Sequence, residues 1–208
     1  NLGRRALPIS PDGTRMAFDI NSQLFHKSMW DAEAAPLRGT ESPNLTGVTT
    51  PTFAPDGQSL VFWTANELRR IPVSGGAPVT LAQALDNPFG ISWEGDVILI
   101  GGGAKGILRV PVKGGAIEVA IPVATGEAAF SPQVLPDGQT VLYTLRENGQ
   151  APDDTRIATQ RLGSSDRRVI VESGANGQYV DTGSIGHLLY MNAGVLFGGP
   201  FDVRQMKP

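Results

Sequence analysis

The chain has 208 residues, enough for one sizeable core at the usual ~100–200 residues per domain. Gly 26 and Pro 16 make up about a fifth of it, a balance that suits short strands and turns rather than helices. A net charge of -3 with a pI near 5.4 lacks the clustered basic charge of a nucleic-acid or anionic-membrane footprint. The absence of cysteine excludes a disulfide framework and a thiolate metal site, while leaving the compartment open. No apolar run approaches the ~20 residues of a membrane helix. Asn1 in place of a starting methionine reads as a mature or excised piece.

In chain order, the first turn signal is Ser10-Pro11-Asp12-Gly13, followed by an apolar strand over 14–19. Proline presets φ, aspartate bonds the backbone two residues on, and glycine accepts φ > 0. The same signal returns as Ala54-Pro55-Asp56-Gly57 before Leu60-Val61-Phe62-Trp63, and as Leu135-Pro136-Asp137-Gly138 before Val141 to Leu145. Weaker copies are Trp93-Glu94-Gly95, two residues short, and Val180-Asp181-Thr182-Gly183. These two turns are expected to differ in geometry from the other three. A second marker, Val73-Ser74-Gly75-Gly76-Ala77, recurs as Val112-Lys113-Gly114-Gly115-Ala116, each after a strand ending in Pro-Val.

The turn glycines at 13, 57, 95, 138 and 183 are spaced by 44, 38, 43 and 45 residues. A repeat of that length with four strands per unit is the signature of a β-propeller blade. Inner strands are predicted near 7–10, 51–54, 90–94, 131–135 and 177–180, and second strands near 14–19, 59–64, 96–101, 139–146 and 187–191. Third strands fall near 22–27, 67–73, 106–112, 156–162 and 194–201, and fourth strands near 34–37, 78–82, 116–121 and 167–171. The fold class is thus all-β, a single propeller domain over 1–208 built of four-stranded antiparallel blades. The blades lie near 7–37, 51–82, 90–121, 131–171 and 177–208, the last incomplete, so the chain reads as about five blades of a truncated six-bladed propeller. Ile9, Phe53, Trp93, Val134 and Tyr179 share one inner-strand position and are expected to pack between blades, while Asp12, Asp56 and Asp137 are expected to cap their own turns.

Several motif matches fail in context. Gly101 to Gly106 satisfies G-x-G-x-x-G, but it joins two predicted strands instead of opening the helix a dinucleotide needs. No G-x-S-x-G nucleophile elbow occurs. His26 and His187 fall in different blades, without metal-ligand spacing. Asp153-Asp154 reads as a solvated hairpin tip, and Asn44-Leu45-Thr46 is a glycosylation sequon. No catalytic or metal site and no cofactor is expected.

The SPDG-type turn, the Pro-Val-x-Gly-Gly-Ala marker and the period resemble the TolB-type WD40-like (PD40) propeller repeats. Residues 53–81 and Phe201-Asp202 are most similar to the propeller region of some bacterial serine/threonine kinases. The resemblance covers nearly the whole chain. It implies about six blades, an extracytoplasmic (periplasmic or cell-surface) location, and binding of a protein, peptide or small-molecule ligand, with a kinase domain in the same parent chain.

Meander topology sorts the loops onto two ends. The PDG and GG turns share one end, short and repetitive. The other collects the varied links at 38–50, 83–89, 122–130 and 172–176 and the hairpin at 146–154. Because binding residues concentrate in variable loops on a rigid scaffold, the candidate ligand-binding residues are Glu41, Asn44, Asn87, Phe89, Glu127, Arg146, Asn148 and Asn176. The expected function is non-catalytic ligand or protein binding through this end, with no nucleic acid and no membrane insertion by this segment. Two rivals stand beside it: a calcium-dependent lactonase-like or esterase-like propeller using Glu94, and the gating propeller of a hydrolase whose catalytic domain lies outside this chain.

Overall fold

The computed structural model describes residues 7–41, 48–147, 154–183 and 185–207. It is all-β, with no helix among the described residues, and its strands form five antiparallel sheets of the β-propeller class. The first sheet holds β1 (Arg15–Ile20), β2 (Gln23–Ser28) and β3 (Ala35–Pro36). The second holds β4 (Thr49–Phe53), β5 (Ser59–Thr64), β6 (Glu67–Pro72) and β7 (Val79–Ala82). The third comprises β8 (Ile91–Glu94), β9 (Val97–Gly101), β10 (Ile107–Pro111) and β11 (Glu118–Ile121). The fourth comprises β12 (Glu127–Val134), β13 (Thr140–Glu147), β14 (Thr155–Arg161) and β15 (Arg167–Val171). β16 (Ala175–Asp181), β17 (Gly186–Asn192) and β18 (Val195–Pro200) form the fifth. In the first blade the expected inner strand shrinks to one bridge, Ile9 to Met16. By contacts the chain divides into two compact units, one from Arg4–Ile98 and Val110–Glu118, the other from Leu99–Arg109 and Val119–Pro208, so the third blade contributes to both.

The repeated turns have the anticipated chemistry. Gly13, Gly57 and Gly138 sit at φ 71, 66 and 68. Asp56 Oδ1 accepts from Gln58 N at 2.8 Å, and Asp137 Oδ1 from Gln139 N and Thr140 N at 3.0 and 2.8 Å. Asp12 Oδ1 accepts from Ser10 Oγ, Thr14 N and Thr14 Oγ1, which lowers its pKa to about 2. The third blade instead turns in the two residues Gly95-Asp96, while in the fifth Asp181 Oδ1 accepts from Gly183 N two residues on, as Asp56 and Asp137 do, with the glycine one place later. Asn21-Ser22, Ala65-Asn66 and Ala193-Gly194 carry two positive φ values each, the type I′ geometry of a tight hairpin between second and third strands.

Second strands form the core. Leu60, Val61, Phe62, Ile98, Leu99, Ile100, Val141, Leu142 and Tyr143 are fully buried, since neighbours cover both faces of the sheet, and this explains their unbroken apolar runs. One apolar cluster joins Ala17, Leu24 and Leu37 to Phe53, Leu60, Phe62 and Ile71; another joins Leu135, Leu142 and Ile157 to Leu188 and Phe201. Each buried Leu, Ile or Phe among them is worth ~1.5–3 kcal/mol. The shared inner-strand position is less uniform than expected: Phe53 is buried and Trp93, Val134 and Tyr179 are half-buried, but Ile9 is 56% exposed. In the first blade the inner strand is reduced to the single bridge from Ile9 to Met16, and Ile9 stays exposed. The consistently buried position is the next one along, Ser10, Ala54 and Leu135, immediately before each proline.

The GG marker is a joint between blades as well as a turn. Gly76 N donates to Arg38 O of the first blade at 3.0 Å, and Gly115 N to Leu81 O of the second at 3.0 Å. A Cβ on Gly39 would lie 1.7 Å from Gly76 O, so the backbones meet too closely for any side chain. The glycine run at 101–106 serves the same purpose. It folds on itself through Gly102 N to Gly106 O (2.8 Å), and Gly103 and Ala129 exchange both backbone bonds at 3.0 Å.

Candidate functional site

Within each blade the two ends are distinct. Val73 N bonds Gln58 O, Val112 N bonds Asp96 O and Leu162 N bonds Gln139 O, tying the PDG-type turns to the third-to-fourth turns. At the other end Leu85 N bonds Asn66 O and Gly174 N bonds Thr155 O, tying inter-blade links to second-to-third turns. The link end is therefore a defined edge of each blade, and the inner strands begin there.

Those beginnings share a feature that the sequence reading did not single out. Thr50, Gly90, Ser131 and Asn176 have φ values of 50, 99, 47 and 53 at equivalent positions: each lies seven residues before its turn glycine, or five in the shortened third blade. At Thr50, Ser131 and Asn176 the pairing register slips as well, between Thr49 and Thr52, Phe130 and Gln133, and Ala175 and Gln178. These are β-bulges with a left-handed residue, the kind of device that re-aims side chains beside functional sites. They also explain why β4, β12 and β16 begin earlier than predicted, since the bulge interrupts the alternation by which a strand is recognised. The legible signal was a small or polar residue, Thr, Gly, Ser or Asn, in one register.

Around the fourth and fifth blades, two candidates come together. Ser131 Oγ donates to Asn176 Oδ1 at 3.0 Å, and Asn176 N donates to Thr144 Oγ1 at 2.9 Å. The guanidinium of Arg146 lies 5.1 Å from the ring centre of the buried Phe130, next to Ser131 in sequence. Arg146 over Phe130 and the Ser131–Asn176 pair thus flank the paired residues Phe130 and Thr144 of β12 and β13. Just along the same strands, Gln133 Nε2 donates to Tyr179 O at 3.0 Å and Gln133 Oε1 accepts from Tyr179 N at 2.7 Å, so this side chain substitutes for a backbone ladder between inner strands.

Glu127 does not join that group. Its carboxylate accepts from Arg167 Nη1 at 2.7 Å and from Ala124 N at 2.9 Å, and the arginine, followed by these other contacts, outweighs burial and lowers its pKa. By register Glu127 pairs with Glu147 and Arg167 with Gln160, at opposite corners of the sheet, so the ion pair crosses a diagonal that twist makes concave. Beneath lies Tyr143, whose hydroxyl donates to Gln160 Oε1 at 3.0 Å and whose pKa is raised by burial.

In the other compact unit, Glu41 Oε2 accepts from Gly39 N at 2.6 Å, and backbone bonds lower its pKa, so its carboxylate caps its own turn. Asn87 and Phe89 are half-buried beside Leu85, whose carbonyl accepts from Trp63 Nε1 at 2.9 Å. Asn87 Oδ1 is buried without a partner, as is the hydroxyl of Thr50. Asn44 and Asn148 lie outside the described residues. Among the described residues no group of three or more His, Asp or Glu gathers as a metal centre, and Glu94 is exposed at a turn. His187 Nδ1 lies 3.1 Å from Ile185 O.

The turn end is not uniformly plain. In the fifth blade residues 201–207 fold back, with Asp202 Oδ1 accepting from Arg204 N and Gln205 N, and leave a cavity of about 690 Å3. Tyr179, Asp181, Phe201, Arg204 and Lys207 are among its lining residues.

No protein-family model matches the chain, and no curated protein matches it in sequence. Solved structures do resemble it. A protein described as a TolB of Agrobacterium tumefaciens superposes with a TM-score of 0.73 at 16% identity, over 96% of this chain and 77% of that one. TolB from Acinetobacter baumannii gives 0.67 at 15%, over 95% and 54% of the two chains. An oligogalacturonate lyase in complex with manganese gives 0.67 at 13%, over 95% and 61%. The chain thus spans between about half and three quarters of these structures, and the likeness is one of fold.

Proposed function

We propose that the chain is a non-catalytic binding propeller that takes a protein, peptide or small ligand at the link end of its blades. The observation that carries this reading is the left-handed residue repeated at Thr50, Gly90, Ser131 and Asn176, which forms a β-bulge at Thr50, Ser131 and Asn176. One backbone device presents three different side chains, Thr50, Ser131 and Asn176, while the opposite end repeats one turn. Strain of order 1–3 kcal/mol per residue persists where the surrounding structure over-determines it, characteristically at binding sites. Arg146 above Phe130 and the Ser131–Asn176 pair supply polar contacts, and Asn87 and Phe89 supply a second, mixed surface. The resemblance to TolB-type repeats supports an extracytoplasmic setting. The kinase-linked parent and the organisation of 1–208 as one propeller domain belong to the same proposal and rest on the repeat pattern alone.

The test is selection of peptides from a random display library, then titration of a selected peptide against variants. Asn176→Gly and Phe89→Ser are expected to weaken binding about tenfold or more, equivalent to ~1.4 kcal/mol, with Asp56→Ala at the turn end changing it less than about twofold. The reverse pattern overturns the placement. Calorimetric titration with calcium addresses the enzymatic rival: tight binding abolished by Glu94→Ala overturns the non-catalytic reading.

A further inference from the structure

One apolar position runs through all five third strands. Leu24, Leu68, Ile107, Ile157 and Leu196 each lie four residues before the last residue of β2, β6, β10, β14 and β18. The first four are 0% exposed, whereas Leu196 is 65% exposed. The difference lies in what sits alongside. Leu24 N donates to Thr40 Oγ1 at 3.2 Å and its carbonyl accepts from Leu37 N at 2.7 Å. Leu68 pairs with Ala82 of β7, Ile157 with Val171 of β15, and β10 with β11. β18 pairs with β17 alone, and the segment after it closes on itself through Asp202 and Lys207. Phe201 N donates to Gly186 O at 2.7 Å, so by the alternation of an antiparallel ladder Val195, Phe197 and Gly199 turn their backbone groups toward β17. Leu196 and Gly198 turn theirs outward, where no hydrogen bond among the described residues reaches them.

This open edge is complementary to itself. From Val195 to Gly199 it places two bulky aliphatic side chains before Phe197 and two glycines after it. An antiparallel second copy centred on Phe197 therefore sets Leu196 opposite Gly198 and Val195 opposite Gly199, a large side chain beside a bare backbone at each step. The outward groups of Leu196 and Gly198 then meet as doubly hydrogen-bonded pairs. Phe197 faces the Phe197 of the second copy at the close, non-hydrogen-bonded position, where aromatic cross-strand pairs are favourable, and each ring already stacks on Tyr190 of its own sheet at 5.5 Å between centres. Neither β17 nor β18 carries Asp, Glu, Lys or Arg, so no like charges oppose each other across the axis and no charge is present to select a charged partner. Pro200, which has no N–H to offer, ends the ladder.

We infer that the chain forms a twofold dimer in which β18 of one copy adds to β18 of another, joining the two fifth blades into one continuous sheet. The dimer closes at two copies, because the contact uses the same edge on both. It concerns the outer edge of the fifth blade and does not depend on the link end as a binding surface.

The test is sedimentation equilibrium of the intact chain from about 5 to about 200 µM, together with cysteine trapping. The mass is expected to rise from 22.0 kDa toward twice that value, with a Kd of about 10–100 µM for so short a ladder. Leu196→Lys, on an exposed side chain, is expected to weaken association by at least about tenfold, with a Tm at about 5 µM within about 2 °C of the parent chain. The chain has no cysteine of its own. Phe197→Cys is expected to give a disulfide-linked dimer on air oxidation, since Cα atoms at such a pair lie ~4.5 Å apart. Leu196→Cys, placed diagonally from its counterpart, is expected to crosslink far less. Three results overturn the proposal: a monomer across the whole concentration range, association unaltered in folded Leu196→Lys, or trapping through Leu196→Cys in preference to Phe197→Cys. Retention of the selected peptide by Leu196→Lys, with the dimer lost, separates this edge from the link-end reading.

Discussion

Thr50 combines a β-branched side chain, a φ of 50 and a buried hydroxyl without a partner, so it carries two separate costs. A non-glycine residue in the left-handed region costs ~1–2 kcal/mol, and the unmade hydrogen bond adds a comparable amount. Thr50→Gly is therefore expected to raise stability by about 1 kcal/mol net of the lost side-chain packing, read as a shift in the urea midpoint at unchanged slope; a loss of stability would show that the strain is compensated by contacts of the methyl group. Asp12 offers a residue-scale test of the turns. Its pKa falls from 3.8 to about 2, first through Ser10 and then Thr14, so its contribution to stability is fully present above the unfolded pKa and is lost as pH falls through the folded value. Asp12→Asn is expected to flatten the dependence of melting temperature on pH between about 4 and 2 while leaving the slope above about pH 5 unchanged.

The elements differ in how they are joined to their neighbours. Gly39 and Gly13 both have positive φ, but a Cβ on Gly39 would strike Gly76 O at 1.7 Å while one on Gly13 meets nothing within 4 Å. Gly13→Ala is expected to cost only the left-handed penalty of ~1–2 kcal/mol. Gly39→Ala must also break the joint, for more than about 3 kcal/mol. Chemical denaturation of the pair isolates the joint, since the backbone penalty is common to both. Between the inner strands β12 and β16, Gln133→Leu leaves the N–H and C=O of Tyr179 unpartnered and is expected to cost about 2–4 kcal/mol. Hydrogen exchange at Tyr179 N is expected to accelerate before that of β13.

At the scale of the whole molecule, the blades are unequal in protection. β5, β9 and β13 are buried nearly throughout, whereas β18 exposes Val195, Leu196 and Phe197 at 56%, 65% and 43% in a three-stranded sheet without a charged residue on that strand. An uncharged apolar edge templates strand pairing. Phe197→Lys is expected to lower the concentration-dependent light scattering of the chain while leaving its melting temperature within about 2 °C.

Sequence by itself determined the blade. Proline, aspartate and glycine at fixed offsets dictate local backbone geometry, and turns of one chemistry at intervals near 40 residues force one strand pattern, so the propeller class, the second, third and fourth strands and the capping role of Asp56 and Asp137 were legible without coordinates. The link end as the variable end was legible too, because meander topology alone sorts the loops. Tertiary structure decided what depends on meeting partners distant in the chain. The left-handed bulges break alternation, so residues 127–130 of β12 read as part of a link until the slip at Ser131 is seen. The pairing of Glu127 with Arg167 spans 40 residues and needs the twist of a sheet to bring opposite corners together. The glycine pair that reads as a turn is a joint as well, because a close approach between backbones is a property of two blades and is written in neither one alone.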